Sequence, residues 1–534
     1  MVEPAQTRVW EVVVPESAID EAIKVDITTG LWLLVVAFGA MMVVRRTKLP
    51  YTIALVVAGF VIGSTHLLRV FHLSYELVFA LFLPPLLFDA AIRLPVAMLK
   101  RNWKIIALLA VPGVIASTLL VAYATHYWAG LALPLALLFG ALISATDPIS
   151  VLALFKSVGV EKRLSILVEG ESLFNDGTAA VLYASFVAAM VAGRTLDAGD
   201  IGFGFVKAIA GGALVGGGIG WAISLVMARI DDHLVEITLT TIAAYGAVMT
   251  AEAFGTSGII SVISSGIVLG YYRSEAAMSA TTRAAVYSFW EYIAFVVNSF
   301  LFLLIGIDVA IRGIIDNIIP VLVAIGVVIA ARTIVVYTTG AALSRSTSRI
   351  PLKWQHVLNW GGLRGAIAIA LALGLPRTLG PARDVVLAMT YGVVLWTLLP
   401  QGLSIGWFLK RLGLAGREEA EEAYGRIVAE TMANRASLDE LARLEAEIVL
   451  PKHVHDELAE KIQAEISDLE RQRYELHQEH GAMLEDQLSK AKLRLLAARH
   501  NAVRRAEEMG LVSGDTARDL IARDQEEYGN SSED

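Results

Sequence analysis

Two apolar stretches of the sequence carry carboxylates that could bind a cation or a proton. The first contains Asp147, which Pro148 follows, and the second contains Glu169, Glu171 and Asp176. A charged side chain at the centre of a membrane helix costs roughly 2.5–3.5 kcal/mol on insertion scales, so these groups should face a bundle interior or a watery cavity. Pro148 lacks a backbone N–H and interrupts its helix, which frees carbonyl oxygens to act as ligands. Carboxylates beside unwound backbone suit a small hard cation or a proton.

The spacing around Asp176 predicts an oxygen cage. Asn175 and Asp176 lie in the middle of an apolar stretch, and Ser172 comes one helical turn earlier on the same face. These three side chains would form one wall of the cage, and Asp147 with the hydroxyl or carbonyl oxygen of Thr146 would form the other. The alternative is that the polar groups only hold helices together, but two carboxylates at one depth exceed what helix packing requires.

A second helix interruption is expected at residues 360–366, where three glycines surround Arg364. Glu171 comes five residues before Asp176, about 140° further round a helix, and should therefore point away from the cage. We interpret Arg364 as the only arginine well inside a late apolar segment and predict that it pairs with Glu171. Removing one partner of such a buried pair costs roughly 3–5 kcal/mol. We favour a structural role for this pair, and direct participation in proton coupling is the alternative.

Two further carboxylates have two interpretations each. Asp89 follows Pro84 and Pro85 in an apolar stretch, where it could contact the site through water or serve as a charged helix end. Glu169 lies near the start of its helix, where it could line a funnel or simply face solvent. Both residues are therefore candidates for a water-mediated or funnel role.

The composition is typical of a helical membrane protein with a soluble tail. Hydrophobic residues form 56% of the chain and charged residues 18%, and the mean hydropathy is +0.60, values far from those of soluble domains. Residues 411–534 contain 17 Lys and Arg against 28 Asp and Glu, so the tail is acidic. The absence of cysteine excludes disulfides, thiolate metal sites and cysteine redox chemistry. No surface suited to nucleic acid is indicated.

Apolar segments of spanning length recur thirteen times between residues 27 and 409. Lysine and arginine are concentrated in one set of alternate loops, which should be cytoplasmic because basic loops stay inside. The odd number of spans then places the N-terminal segment 1–26 outside and the tail 413–534 in the cytoplasm. The expected location is the plasma (inner) membrane, in contact with lipids. Apolar residues of the tail follow 3–4 spacing, which indicates an amphipathic helix or coiled coil with a regulatory role.

Three motifs together resemble those of the monovalent cation:proton antiporters of the NhaP and eukaryotic Na+/H+-exchanger type. The motifs are Ala145–Pro148, Gly170–Asp176 and Gly361–Gly365. The resemblance implies an all-α membrane protein of about 13 transmembrane helices, arranged as an inverted repeat with two discontinuous crossing helices. It also implies a homodimer and elevator-type alternating access. The transmembrane antiporter domain would then comprise a dimerisation part (27–92 and 202–311) and a moving core part (104–192 and 315–409) within residues 27–412.

The same resemblance implies roles for individual residues. Asp176 would be the main cation- and proton-binding carboxylate, and Glu171 with Arg364 would be a structural ion pair. The Asn-Asp sequence that ends at Asp176, in place of two aspartates, implies exchange of one proton for one cation without net charge movement. Many relatives have glutamate where this chain has Asp89, which is shorter by one methylene. The residues implied to complete the cage are Thr146, Asp147, Ser172 and Asn175.

The predicted function is transport and not catalysis. We expect exchange of Na+ or Li+ for H+ in pH homeostasis, with cation and proton competing for Asp176. No cofactor is expected, and no metal apart from the transported monovalent cation. Exchange of K+ for H+ on the same fold is one alternative, and a channel or a sensor is an alternative of a different class. Two charged half-sites without a repeated ring of pore-lining residues argue against a channel.

Overall fold

The computed structural model of the chain describes residues 16–44, 46, 50–65, 74–191, 198–230, 232–274, 280–309, 311–344, 349–414, 417–446 and 451–479, together with several positions between 499 and 520. Helices contain nearly all of these residues, and no strand occurs among them. The prediction of an all-helical chain is therefore confirmed. Residues 1–15 of the predicted N-terminal segment, and most of the tail beyond residue 479, lie outside the described part.

The chain divides into two compact units, one formed by Met1–Val158 with Lys162–Gly413 and one by Gly159–Glu161 with Leu414–Asp534. The helices of the first half of the larger unit are α1 (Glu16–Val44), α2 (Tyr51–Thr65), α3 (Leu83–Arg93), α4 (Val96–Leu108), α5 (Val114–Ala129), α6 (Leu133–Ser144), α7 (Ile149–Val158) and α8 (Lys162–Val191). Those of its second half are α9 (Ala198–Met227), α10 (His233–Ala253), α11 (Gly258–Ser274), α12 (Ala280–Ile307), α13 (Ile311–Asp316), α14 (Ile318–Ala342), α15 (Leu352–Trp360), α16 (Ala366–Leu373), α17 (Pro381–Trp396) and α18 (Gly402–Arg411).

Helix α1 begins earlier than the predicted first span at residue 27. It starts at Glu16, although residues 16–26 are polar and mixed. The sequence contains neither proline nor glycine between Glu16 and Gly30, so nothing interrupts helix propagation into the polar stretch. The boundary between the polar segment and the apolar span therefore falls inside one continuous helix.

Eight helical stretches of the described residues are long and apolar enough to cross a membrane. They include Val96–Ala129, which joins α4 to α5, and Leu133–Val158, which spans α6 and α7. Shorter apolar helices occur at Gly30–Val44, Tyr51–Thr65 and Gly258–Tyr271. These stretches confirm the prediction of a helical protein with several membrane spans. The count of thirteen spans stays a prediction.

Two helix junctions contain a proline within a π-helical turn. Leu109–Gly113 joins α4 to α5 and contains Pro112, and Thr397–Gln401 joins α17 to α18 and contains Pro400. Proline has no N–H, and its ring clashes with the carbonyl four residues earlier in a regular α-helix. A wider turn relieves this clash while the helix continues in the same direction. Each junction therefore keeps its two helices in one span.

Two other spans are interrupted, and their interruptions lie side by side. Helix α6 ends at Ser144 and α7 begins at Ile149, while α15 ends at Trp360 and α16 begins at Ala366. The backbone N–H of Asp147 in the first interruption donates to the carbonyl of Leu363 in the second, with an N–O distance of 2.8 Å. The missing donor of Pro148 and the glycines around residue 363 explain why neither helix continues.

Gly365 shows how closely the two interruptions approach each other. A Cβ added at this position would collide with the carboxylate of Asp147. Any larger residue would therefore displace Asp147 or separate the two segments. Glycine is needed here because of this close approach, since the backbone of Gly365 has a negative φ that other residues can adopt.

The smaller unit contains two helices that pack as an antiparallel hairpin. They are α19 (Arg417–Ala446) and α20 (Lys452–Glu479), and Asn434 and Arg435 of the first contact Glu465 and Glu470 of the second. Ile427, Leu441 and Leu469 are the buried apolar residues of these two helices within the described part. Exposed ion pairs of this kind contribute little to stability, so the apolar contacts hold the hairpin together.

Candidate functional site

A cavity of about 290 Å3 lies beside the interrupted helices and is lined by four carboxylates. Its walls come from α3, the α6–α7 interruption, α8, α12 and the start of α16. The four carboxylates are those of Asp89, Asp147, Glu169 and Asp176. Thr146 and Ser172 line the same cavity. The structure therefore brings to one cavity most of the polar residues that the sequence selected.

Asp147 and Asp176 differ in their hydrogen bonding. Asp147 Oδ1 accepts a hydrogen bond of 2.9 Å from the backbone N–H of Ile149, at the start of α7. Asp176 is buried, and its Oδ1 has no hydrogen-bond partner among the described residues. A buried carboxylate oxygen without a donor is costly, unless a proton or a cation satisfies it. The arrangement therefore suits reversible binding of a positive charge at Asp176.

Thr146 is held in place from helix α8. Its backbone N–H donates to Asn175 Oδ1 at 3.2 Å, and Asn175 Nδ2 donates to Thr146 Oγ1 at 2.6 Å. Ser172 Oγ donates to the carbonyl oxygen of Thr146. These bonds fix the unwound backbone of the first interruption relative to α8.

Asn175 occupies a different position from the one expected for a cage ligand. It is not among the residues that line the cavity, and its Nδ2 also donates to Glu171 Oε1 at 3.2 Å. The oxygen and the nitrogen of the Asn175 carboxamide are thus both hydrogen-bonded to protein groups, because the side chain points towards the backbone of Thr146. Asn175 supports the cage from behind, while Thr146, Asp147, Ser172 and Asp176 reach the cavity surface.

The predicted pairing of Glu171 with Arg364 is wrong. Glu171 forms a bidentate ion pair with Arg332 of α14, in which Nη1 donates to Oε1 at 2.6 Å and Nη2 to Oε2 at 2.9 Å. The two side chains are 3% and 10% exposed. Bidentate geometry makes this the stronger type of charge-assisted hydrogen bond. The sequence did mark Arg332 as a charge that needs a partner, because it lies in the centre of an otherwise apolar segment.

Arg364 binds backbone carbonyls at the end of α6. Its Nη1 donates to the carbonyl oxygens of Ser144 at 2.7 Å and Ala145 at 3.1 Å, and its backbone N–H donates to Thr397 Oγ1 at 3.0 Å. The last carbonyls of a helix have no partner within it and carry partial negative charge. Arg364 therefore satisfies the carbonyl end of one interrupted helix.

Arg332 serves the other interrupted helix in the same way. Its Nε and Nη2 donate to the carbonyl of Leu358 near the end of α15, at 3.2 and 2.8 Å. Each interrupted helix thus ends on an arginine that comes from a different segment of the chain. This shared function was not predictable from local sequence, because it depends on how α14 is rotated in the packed bundle.

Asp89 and Glu169 both line the cavity, and Asp89 has a specific partner. Asp89 Oδ1 accepts a hydrogen bond of 2.7 Å from Arg93 Nε, one turn later in α3. The interpretation of Asp89 as a mere helix-end charge is therefore incomplete, because the side chain reaches the cavity and is ion-paired there.

Comparisons with known proteins agree with this architecture. The profile described as "Sodium/hydrogen exchanger, transmembrane" matches residues 33–411. The Na(+)/H(+) antiporter ApNhaP of Aphanothece halophytica is 40% identical over 80% of this chain and 82% of its own, and the Na(+)/H(+) antiporter NhaG of Bacillus atrophaeus is 34% identical over 91% and 94%. The solved structure of the sodium proton antiporter MjNhaP1 from Methanocaldococcus jannaschii shares the fold, with a TM-score of 0.62, 20% identity, and coverage of 73% of this chain and 99% of its own. The profile match and these relatives show that the chain belongs to the family of transmembrane sodium/hydrogen exchangers.

Proposed function

We propose that this protein exchanges Na+ or Li+ for H+ across a membrane, with the cation and the proton competing for Asp176. The names of its relatives, which are Na(+)/H(+) antiporters, support this activity. The observation that carries the site assignment is the buried Oδ1 of Asp176, which has no hydrogen-bond partner among the described residues. Asp176 lines a cavity that Asp147, Thr146 and Ser172 also line.

The charges around the interruptions support an exchange of one cation for one proton. Asp147, Glu171 and Asp176 are three buried carboxylates, and Arg332 and Arg364 are two buried guanidinium groups. Among these five buried groups one negative charge is in excess, and one Na+ or one H+ neutralises it. An uncompensated buried charge costs several kcal/mol, so the unloaded site resists movement through the membrane. Cation and proton movements are coupled because only the two neutral forms of the site, with Na+ bound or with H+ bound, move easily across the membrane.

The walls of the cavity support alternating access by relative movement of two parts. Asp147 and Asp176 come from the proposed core part, Asp89 and Asn298 come from the proposed dimerisation part, and all four line the cavity. Thr52 of α2 and Ser150 of α7 are hydrogen-bonded across these parts at 2.5 Å. We propose that the core part carries the loaded site past the dimerisation part of a homodimer in an elevator-type movement. The two interrupted helices would be crossing helices of an inverted repeat in a fold of thirteen spans.

The loop charges support the proposed orientation. The N-terminus would lie outside and the acidic tail in the cytoplasm, so the cavity that contains Asp89 and Glu169 would open towards the cytoplasm. Glu169 lies near the first turns of α8, which begins at Lys162, and Lys156 lies in the last turn of the preceding helix α7. Basic residues of this kind mark the cytoplasmic side.

Proton flux in proteoliposomes tests the proposed function. Wild-type protein should acidify or alkalinise the lumen only when Na+ or Li+ is added, and clamping the membrane potential should not change the rate. Asp176→Asn should abolish exchange, because the amide cannot alternate between a charged and a protonated form. Asp316→Asn is the matched control, since Asp316 is exposed at the end of α13, and it should retain the wild-type rate.

The kinetics distinguish competition from other schemes. A higher proton concentration should raise the apparent cation KM without lowering the maximal rate, because both ligands neutralise the same carboxylate. A decrease of the maximal rate at constant KM would contradict a single shared site. Cation-dependent flux in Asp176→Asn would remove Asp176 from its role. Adding K+ in place of Na+ in the same assay decides between Na+ and K+ exchange. Cation flux without an opposing proton flux would indicate a channel.

A further inference from the structure

Arg93 lies at the end of α3 and is attached to one of the four cavity carboxylates. Its Nε donates to Asp89 Oδ1 at 2.7 Å, and its Nη2 donates to the carbonyl oxygen of Tyr287 in α12 at 2.6 Å. The guanidinium carbon lies 5.1 Å from the centre of the Tyr287 ring. Glu291 is a weaker neighbour, at 3.9 Å and 70% exposed. Three contacts therefore hold the arginine in one position at the side chain of Asp89.

The pairing with Arg93 changes what Asp89 can do in the cavity. The side chain of Asp89 is 18% exposed and lines the same cavity as Asp147 and Asp176. A free carboxylate there would add one negative charge and a further oxygen ligand to the wall of the cavity. Paired with Arg93, the residue contributes almost no net charge, and one of its two oxygens is occupied by the guanidinium.

We propose that Arg93 lowers the affinity of the cavity for its cation by holding Asp89 in a neutral ion pair. This inference rests on the proposed exchange function and assigns a positioning role to a residue outside the cage. Removal of one unit of positive charge at a separation of roughly 12–25 Å from the bound cation, in an effective dielectric constant of about 20, changes the affinity for a monovalent cation by roughly three- to tenfold. A weak site is useful to a transporter, because a cation that binds too tightly is released slowly.

A purely structural role for Arg93 is the competing explanation. The hydrogen bond to the Tyr287 carbonyl joins α3 to α12, so its loss could loosen the dimerisation part. Such a change would lower the amount of folded protein or the maximal rate. It would not tighten cation binding, so the direction of the change in apparent KM separates the two roles.

The test compares apparent Na+ KM values of reconstituted protein at one alkaline pH, where proton competition is weakest. We expect Arg93→Gln to lower the KM by roughly three- to tenfold with little change in the maximal rate. Arg93→Lys should keep a KM close to that of the wild type, because it retains the charge beside Asp89. Arg101→Gln is the matched control, since this exposed arginine of α4 does not line the cavity, and its KM should be unchanged.

Variants of Asp89 keep the proposal testable if Arg93→Gln folds poorly. Asp89→Asn should raise the KM by a similar factor, because Arg93 then lacks the carboxylate that neutralises it at the cavity. The double variant Asp89→Asn/Arg93→Gln should have a KM near that of the wild type. The wild-type ion pair and the two neutral side chains of the double variant both contribute no net charge at this position. An unchanged or higher KM in Arg93→Gln would overturn the proposal, as would an unchanged or lower KM in Asp89→Asn.

A double variant that kept the low KM of Arg93→Gln would also overturn it, because Arg93 would then not act through Asp89. These outcomes can be interpreted only if the wild-type protein shows Na+-dependent proton flux. Absence of that flux would refute the proposed function itself. Failure of the two proposals is therefore distinguishable in one set of vesicles.

Discussion

Replacement of Arg332 by methionine should be the most destabilising change at the interrupted helices. The variant leaves Glu171 buried at 3% exposure without its bidentate partner. It also removes both donors from the carbonyl of Leu358 at the end of α15. Methionine has a similar length and no charge, so the change tests the electrostatic contacts more than the packing.

The cost follows from the two interactions that are lost. Breaking a buried ion pair by removal of one partner costs roughly 3–5 kcal/mol. A buried carbonyl left without a donor costs roughly 1–3 kcal/mol more. Because neighbouring contributions are not additive, we expect about 4–6 kcal/mol of destabilisation for Arg332→Met. Arg364→Met should cost less, about 2–4 kcal/mol, because it removes hydrogen bonds to carbonyls but leaves the Glu171 pair intact.

Double-mutant cycles measured by unfolding in mixed detergent micelles test this assignment. Glu171→Gln combined with Arg332→Met should show a coupling of roughly 1–3 kcal/mol, since the two residues are in contact. Glu171→Gln combined with Arg364→Met should show a smaller coupling, because these two charges interact through space without a hydrogen bond between them. A larger coupling of Glu171 with Arg364 than with Arg332 would refute the observed pairing. If Arg332→Met alone does not fold, recovery of folded protein in the double variant is the readout.

Three further predictions concern other parts of the chain. Gly365→Ala should reduce exchange by about tenfold or more because its Cβ displaces the carboxylate of Asp147. Gly217→Ala, whose Cβ meets no atom within 4 Å, is the control that should retain activity. Two backbone N–H groups, of Val235 and Leu234, hold the pKa of Asp232 below its ordinary value. This helix cap should therefore stabilise the first turn of α10 at any pH above the pKa that Asp232 has in the unfolded chain. The stabilisation should be lost as the pH falls through the lower pKa that Asp232 has in the folded protein. Hydrogen exchange of that turn against pH checks this, and Asp232→Ala should lack the transition. Truncation after Gly416 should leave exchange intact and shift its pH dependence, because we expect the acidic tail to inhibit exchange. An unchanged pH profile of the truncated protein in vesicles would indicate that the tail has only a structural role.

The helix interruptions were predictable because they depend on local chemistry. Pro148 removes a donor, and the glycines around Arg364 weaken the helix wherever they occur. Carboxylates in apolar stretches were equally informative, since a membrane interior permits them only beside a cavity or a partner. The sequence therefore indicated an all-helical membrane protein and the residues that the structure places around one cavity.

The partners of individual charges could not be predicted in the same way. The choice of Arg332 as the partner of Glu171 depends on how α14 is rotated and how deeply it lies, which are properties of the packed bundle. The position of Asn175 behind the cage has the same origin, because its carboxamide rotates towards Thr146 and not towards the cavity. Spacing along one helix gives the face of a residue, but not the distance to a residue of another helix.

The hydrogen bond between Asp147 and Leu363 has a consequence for synthesis and membrane insertion. The two residues are separated by more than a third of the chain, and at roughly 5–20 residues per second the ribosome needs on the order of ten to forty seconds to make the intervening segment. During that time the first interruption has neither the Leu363 carbonyl nor the guanidinium of Arg364 that satisfies the end of α6. We therefore expect the early spans to keep contact with water or with a chaperone until the late spans arrive, because unsatisfied backbone groups are costly in lipid.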